Sequence, residues 1–128
     1  MRDMKNNMDA VNSLDPDNYT ATTNGTGVDV RDFDGALVVF SAGTLDVANA
    51  DEVYTPSVEE SDDNSTYSAV ASADMEGTLS NLTANSIQRV GYKGSKRYVR
   101  ATLTISGTTP SVQAAAWVVR GIAHQSPL

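Results

Sequence analysis

Few residues of this sequence are suited to catalysis. The chain has one histidine, His124, near its C-terminal end, and it has no cysteine. A serine or cysteine nucleophile needs a positioned base and a third residue that orients this base, and one histidine supplies at most one of these roles. Neither common glycine-rich phosphate-binding pattern occurs. The sequence therefore predicts a protein that is not an enzyme.

Two acid-rich segments carry the oxygen ligands that calcium prefers. They contain Asp29, Asp32 and Asp34 in one case, and Glu60, Asp62, Asp63 and Asn64 in the other. Neither segment has the spacing of the calcium-binding loop of about twelve residues. Aspartate and asparagine in turns usually accept hydrogen bonds from their own backbone. We therefore predict no metal and no cofactor.

Charge is divided unevenly along the chain. The net charge is -7 at pH 7, from nine basic and sixteen acidic residues. All sixteen acids lie between Asp3 and Glu76, and residues 1 to 76 carry three bases, which gives this part a charge of -13. Residues 77 to 128 carry six bases and no acid, a charge of +6. Two parts of opposite sign predict complementary surfaces.

Two interpretations of this asymmetry stay open. In the first, the two parts fold against each other and neutralise their charges within one molecule. In the second, the chain assembles head to tail or side by side with copies of itself, or on an oppositely charged lattice, and the basic part contacts an acidic surface of its neighbour. The candidate partner-binding residues are then Arg89, Lys93, Lys96, Arg97 and Arg100. Nucleic acid is not an expected partner, because the net negative charge opposes phosphate at long range.

From Asn18 onward the sequence has the composition of a β protein, rich in Thr, Val, Ser and Tyr between turn residues. The main predicted strands are Ala36 to Ala42, Glu52 to Glu60, Ser86 to Tyr92, Arg97 to Ser106 and Val112 to Arg120. We predict a hairpin loop at residues 93 to 96 and a turn at residues 61 to 65. The expected fold is all-β: an antiparallel β-sandwich or partly closed barrel of seven to nine short strands.

The N-terminal segment has a different pattern. Met1, Met4, Met8 and Val11 follow helical spacing, and Asp15-Pro16 would end such a helix. We therefore predict a short helix or arm over residues 1 to 17, a sandwich domain over 18 to 121 and a tail over 122 to 128. A helix this short is marginal alone. It either caps the core or orders on a partner through Met1, Met4 and Met8.

Two apolar runs stand out inside the predicted strands. ALVVF, from Ala36 to Phe40, suits a strand that is buried on both faces. Ala114 to Val119 contains Trp117, which we place in or beside the core, as we do Tyr98. Both runs are far shorter than the roughly 20 residues of a membrane-spanning helix. No membrane partner is therefore expected.

Three segments carry a family resemblance. ESDDNSTYSAVASADMEGTL (60 to 79), QRVGYKGSKRYVRATLTISG (88 to 107) and WVVRG (117 to 121) resemble a family of small virion proteins of tailed bacteriophages. GYKGSKRYVR is the most specific of these elements. The resemblance extends from about residue 27 to the end of the chain.

The resemblance implies a structural component of the phage head. Such proteins are encoded near the major capsid protein, are commonly β-rich and are often trimeric. A decoration or cement protein on the capsid surface, with the major capsid protein as its partner, is the first expectation. A neck, head-completion or tail-terminator protein is the alternative. An enzyme or a carbohydrate-binding module is a third class, and copy number in the particle separates the first two.

Overall fold

The computed structural model describes residues 3 to 123, and this part of the chain forms ten strands and one turn of 3-10 helix at Ser72–Asp74. The strands are β1 (Met8–Tyr19), β2 (Thr23–Asn24), β3 (Val28–Asp29), β4 (Phe33–Leu45), β5 (Val53–Ser61), β6 (Ser68–Ala69), β7 (Met75–Glu76), β8 (Ser86–Tyr92), β9 (Tyr98–Ser106) and β10 (Val112–Ala123). Four of the ten are only two residues long.

The strands form two five-stranded antiparallel sheets. The first sheet has the order β1-β10-β4-β8-β7. The second has the order β2-β9-β5-β6, with β3 also paired to β9. The pairing is nested: β1 pairs with β10, β2 and β3 with β9, β4 with β8, and β5 with β6. A nested ribbon rolled into two sheets is a jelly roll. The predicted antiparallel β-sandwich is confirmed, as two separate sheets and not a barrel. The described residues form ten strands where seven to nine were predicted, because four strands of two residues are too short to leave a pattern.

The core lies between the two sheets. On the first sheet, Val11, Val118, Val38 and Val90 stand side by side across four strands, and the last three are almost fully buried. The second sheet contributes Val99, Ala101, Leu103 and Ile105 from β9, opposite Tyr54 and Val58 from β5. Burying a side chain such as valine stabilises the fold by about 1.5 to 3 kcal/mol relative to leaving it exposed. On the second sheet, alternation of apolar and polar residues along β9 determines which face turns inward.

The turn after β5 is ordered by its own polar side chains. One carboxylate oxygen of Asp63 accepts the backbone N–H groups of Ser65 and Thr66 at 3.0 and 2.9 Å. These hydrogen bonds, that of Thr66 first, lower the pKa of Asp63 below its ordinary value of 3.8. Asn64 adopts a left-handed φ of 60°, a conformation that asparagine tolerates. The predicted turn is confirmed, and it joins the antiparallel strands β5 and β6.

The predicted N-terminal helix is wrong from Met8 onward, because this segment is strand β1. Pairing with β10 from Met8 to Tyr19 satisfies backbone groups that a short isolated helix would leave partly unpaired. Two register shifts, around Leu14, let Leu14 point into the core despite the irregular spacing. Apolar residues spaced three and four apart, a pattern typical of a helix, here belong to a bulged strand.

Two further expectations differ from the structure. Residues 93 to 96 do not close a hairpin, because β8 lies in the first sheet and β9 in the second. Strand β10 continues to Ala123, beyond the predicted start of the tail at residue 122. Residues 124 to 128, which include His124, lie outside the described part of the chain.

Tyr54 connects the core to two loops. Its side chain is 2% exposed. The hydroxyl lies 2.6 Å from the carbonyl oxygen of Asp46 and 3.0 Å from that of Ser111, and it accepts the Ser111 N–H at 2.9 Å. One buried hydroxyl thus holds the segment after β4 and the segment before β10 together.

We expect Tyr54→Phe to lower the free energy of unfolding by about 1 to 2 kcal/mol, because it leaves the N–H of Ser111 without its acceptor. Urea titration followed by circular dichroism measures this loss. Tyr19→Phe is the matched control: its hydroxyl donates to the Asp15 carbonyl at an exposed site, so about 0.5 kcal/mol or less is expected. Equal losses in the two variants would contradict the role given to Tyr54.

Candidate interaction surfaces

Five of the six bases in residues 77 to 128 form ion pairs within the molecule. The pairs are Lys93–Glu76 at 2.8 Å, Lys96–Asp62 at 2.8 Å, Arg97–Asp29 at 2.8 Å, Arg100–Glu59 at 2.6 Å and Arg120–Asp9. Every acid in these pairs comes from the acidic first part of the chain. The structure therefore has the internal neutralisation that the charge pattern left open. Whether any of these bases also contacts a partner stays a prediction.

Arg100 has the least exposed side chain among the predicted partner-binding bases with ion pairs. It stands directly opposite Glu59 on the outer face of the second sheet. Its Nε donates to Oε1 of Glu59 at 2.8 Å, and its Nη2 lies 2.6 Å from the same oxygen. The guanidinium carbon is 3.9 Å from the centre of the Tyr67 ring, a cation–π contact. Arg100 is thus part of a packed cross-strand cluster.

Arg97 and Asp29 join β3 to the start of β9. Nε and Nη2 of Arg97 donate to Oδ2 of Asp29 at 3.1 and 2.8 Å. The other carboxylate oxygen, Oδ1, accepts the backbone N–H of Arg31 at 3.0 Å. The hydrogen bond from Arg97 holds the pKa of Asp29 below its ordinary value of 3.8, and the same bond raises the pKa of Arg97.

The loop that carries Lys93 and Lys96 is held by Tyr92. The Tyr92 hydroxyl donates to Glu60 at 2.7 Å and accepts the Lys96 N–H at 3.0 Å. Burial, followed by the hydrogen bond to Glu60, raises the pKa of Tyr92. Gly94 lies against this ring so closely that a Cβ would come within 2.4 Å of the hydroxyl oxygen. The glycine is therefore required by this contact.

Arg89 differs from the other predicted bases. It is exposed on β8, and no acid lies within 4.0 Å of its guanidinium in the described part of the chain. It projects from the outer face of the first sheet, whereas Arg100 projects from the outer face of the second. The structure thus divides the predicted basic set between two opposite faces.

The outer face of the first sheet is largely apolar. Three rows of side chains cross its strands: Ala10, Val119, Leu37 and Gly91; then Asn12, Trp117, Val39 and Arg89; then Ala115, Ser41 and Ile87. We name as the apolar face the residues Leu37, Val39, Ile87, Ala115, Trp117 and Val119. None of the six belongs to the core cluster between the sheets. Ile87 is 63% exposed, Leu37, Ala115, Trp117 and Val119 are half-buried, and Val39 between them is buried at 7%.

Of the prediction that Trp117 lies in or beside the core, a position within the core between the sheets is wrong. Alternation along β10 sends Val118 and Ala116 inward and Trp117 outward, beside Val39. Tyr98 also lies on an outer face, that of the second sheet, with the guanidinium carbon of Arg97 5.0 Å from its ring centre. Sequence periodicity alone does not reveal which face of a strand with two apolar sides meets the other sheet.

The methionines of the predicted arm have separate positions. Met4 is 63% exposed, and its carbonyl accepts the N–H of Met8 at 2.9 Å in a single turn. Met8 begins β1 opposite Gly121 and is half-buried. Met1 lies outside the described residues. Binding of a partner through these methionines stays a prediction.

The two acid-rich segments serve turns and ion pairs. Asp29 binds Arg97, Asp62 binds Lys96, and Asp63 binds the backbone of its own turn. Within residues 3 to 123, no three His, Cys, Asp or Glu side chains are grouped to hold a metal ion. The same residues include no helix of the length and hydropathy that crossing a membrane requires.

Comparison with solved structures gives a weak structural neighbour. No family model and no curated protein matches the sequence. A chain in the structure of infectious bursal disease virus, Gx strain, aligns with 91% of this chain at a TM-score of 0.48 and 11% identity. The alignment covers 33% of that chain, so this protein spans about a third of its length. The resemblance to tailed-phage virion proteins stays a prediction.

The Arg100–Glu59 pair predicts a measurable coupling. A double-mutant cycle with Arg100→Ala and Glu59→Ala is expected to give a coupling energy of about 1 kcal/mol, because both side chains are largely shielded from solvent. Urea unfolding of the four proteins measures it. A coupling within error of zero would show that the pair is only a surface contact.

The Asp29 pair predicts a pH dependence. Because the folded-state pKa of Asp29 lies below its ordinary value of 3.8, its contribution to stability is present above that value. The contribution is lost as pH falls through the folded-state pKa. We expect Asp29→Asn to be less stable than wild type near neutral pH, with a difference that disappears in acid. Thermal unfolding at a series of pH values tests this, and a difference that stays constant into strong acid would contradict it.

Proposed function

We propose that this protein is a non-enzymatic structural component of a virion. In its specific form, it is a decoration or cement protein that binds the outer surface of a tailed-phage head and stabilises contacts between major capsid subunits. The observation that carries the proposal is the apolar face of the first sheet. Antiparallel sheets of a sandwich usually turn a polar face to solvent. An apolar patch on an outer face is often a functional contact surface.

The fold supports the proposal at a coarser level. Jelly rolls serve as viral capsid domains, as lectins and as cupins. Fold alone does not select among these functions. The sequence resemblance to small head proteins of tailed phages favours the first of them, and the apolar face favours a protein partner over a small ligand.

The arrangement of charge fits a protein that folds alone and then binds. Strand-to-strand ion pairs such as Asp9–Arg120 and Asp29–Arg97 neutralise the basic part within the molecule. A capsid shell of identical subunits presents the same binding site many times. Modest contacts at each site then add up to a large stabilisation of the particle, because ligands that bind only the assembled state stabilise that state.

The proposal predicts a high copy number. Purified particles of the phage that encodes this chain should contain about one copy per major capsid subunit, as measured by quantitative mass spectrometry with labelled peptide standards. Copies of the capsid protein itself provide the internal reference. A few copies per particle would instead favour a neck or tail-terminator protein, and absence from the particle would contradict a virion role altogether.

A further inference from the structure

The two outer faces of the sandwich differ in chemistry. On the second sheet, cross-strand neighbours are hydroxyl pairs such as Thr55 with Thr104 and Ser57 with Thr102, followed by the Glu59–Arg100 ion pair. On the first sheet, the corresponding positions hold the apolar face. The difference comes from the runs ALVVF and AAAWVV, which alternate apolar residues to both sides of β4 and β10. One side of the molecule is thus suited to water and the other to protein.

Arg89 adds a charge to the apolar face. It stands directly beside Val39, in the row that also contains Trp117. Glu76, on the neighbouring strand β7, lies 2.8 Å from Nζ of Lys93. An arginine and a tryptophan that flank a valine in one row of an apolar patch have the composition of an interface hot spot. The face is therefore complementary to an apolar surface that carries a carboxylate.

A second copy of this chain fits the face poorly. In a two-fold face-to-face dimer, residues of the face meet only residues of the same face. The face would then have to supply its own carboxylate to Arg89, and Glu76 at its edge is engaged with Lys93. Three rows over four strands also span only about 20 Å by about 15 Å, roughly 300 Å². A standard interface buries about 800 Å² on each partner, so any occupant of the face needs further contacts around it.

We propose that the apolar face docks on a different protein, a shell subunit that presents an apolar patch with an acidic residue placed to pair with Arg89. This inference rests on the proposed function and names the surface and the chemistry of its partner. A patch of this size is the central part of an interface, which polar neighbours such as Asn12 and Ser41 complete. Repetition over the shell compensates for the small area of each contact.

The test measures binding to empty shells of the major capsid protein by cosedimentation. Ile87→Glu and Arg89→Glu should each weaken binding roughly tenfold or more, because one introduces a charge into the apolar contact and the other opposes the partner's carboxylate. The matched control is Val53→Glu, an exposed apolar residue on the second sheet, which should bind as wild type does. Circular dichroism is the control that checks whether all three variants fold.

Trp117 supplies a second measurement, because it is the one tryptophan of the chain and lies on the apolar face. Protein labelled with 5-fluorotryptophan should give a fluorine signal that shifts or broadens when shells are added. The signal should not change with the concentration of the protein alone. A concentration-dependent change abolished by Ile87→Glu would overturn the inference, since a second copy would then occupy the face.

The remaining outcomes separate this inference from the proposed function. If wild type binds shells and Ile87→Glu and Arg89→Glu bind equally well, the docking surface is wrong and the proposed function stands. If wild type does not bind shells at any salt concentration, the decoration role is wrong and the inference fails with it.

Discussion

Nested pairing of early strands with late strands is the constraint on which the rest of this structure depends. The antiparallel ladder of β10 with β1 and β4 brings the two ends of the described chain into one sheet. Each further pair lies inside the last, down to β5 with β6. Two further ladders, β4 with β10 and β5 with β9, lie between the nested pairs and join them into the two sheets.

The same order explains the uneven charge. Asp9 meets Arg120, Asp29 meets Arg97, and Glu76 meets Lys93, so these three ion pairs are nested like the strands that carry them. Glu59 meets Arg100 through the β5–β9 ladder instead. An acidic first part and a basic last part are thus brought together by topology. These ion pairs offset part of the electrostatic repulsion among residues 1 to 76, whose net charge is -13. Among the described residues of the basic part, Arg89 is the one base without an ion pair.

Local pattern predicted much of this fold. The bounds of β8 agree with the structure, and those of β5 and β9 agree within one residue, because period-two alternation and flanking turns are local signals. Strand β1 was not predictable in this way, since its bulges around Leu14 disguise the alternation and only β10 makes it a strand. The ion-pair partners were equally hidden, because they depend on which strands become neighbours. ALVVF did indicate burial on both faces of β4, but it did not indicate what would cover the outer side.

The proposed role depends on the apolar face. Strands β4 and β10 bury one side in the core of the jelly roll, and we propose that their other side, with Arg89, contacts a partner. Hydroxyl-radical footprinting of the protein, free and within intact particles, tests this most directly. Trp117 and Ile87 should lose reactivity in the particle, while Tyr98 and Val53 on the second sheet keep theirs. Equal reactivity of Trp117 in both states, or protection of the second sheet instead, would contradict docking through the first sheet.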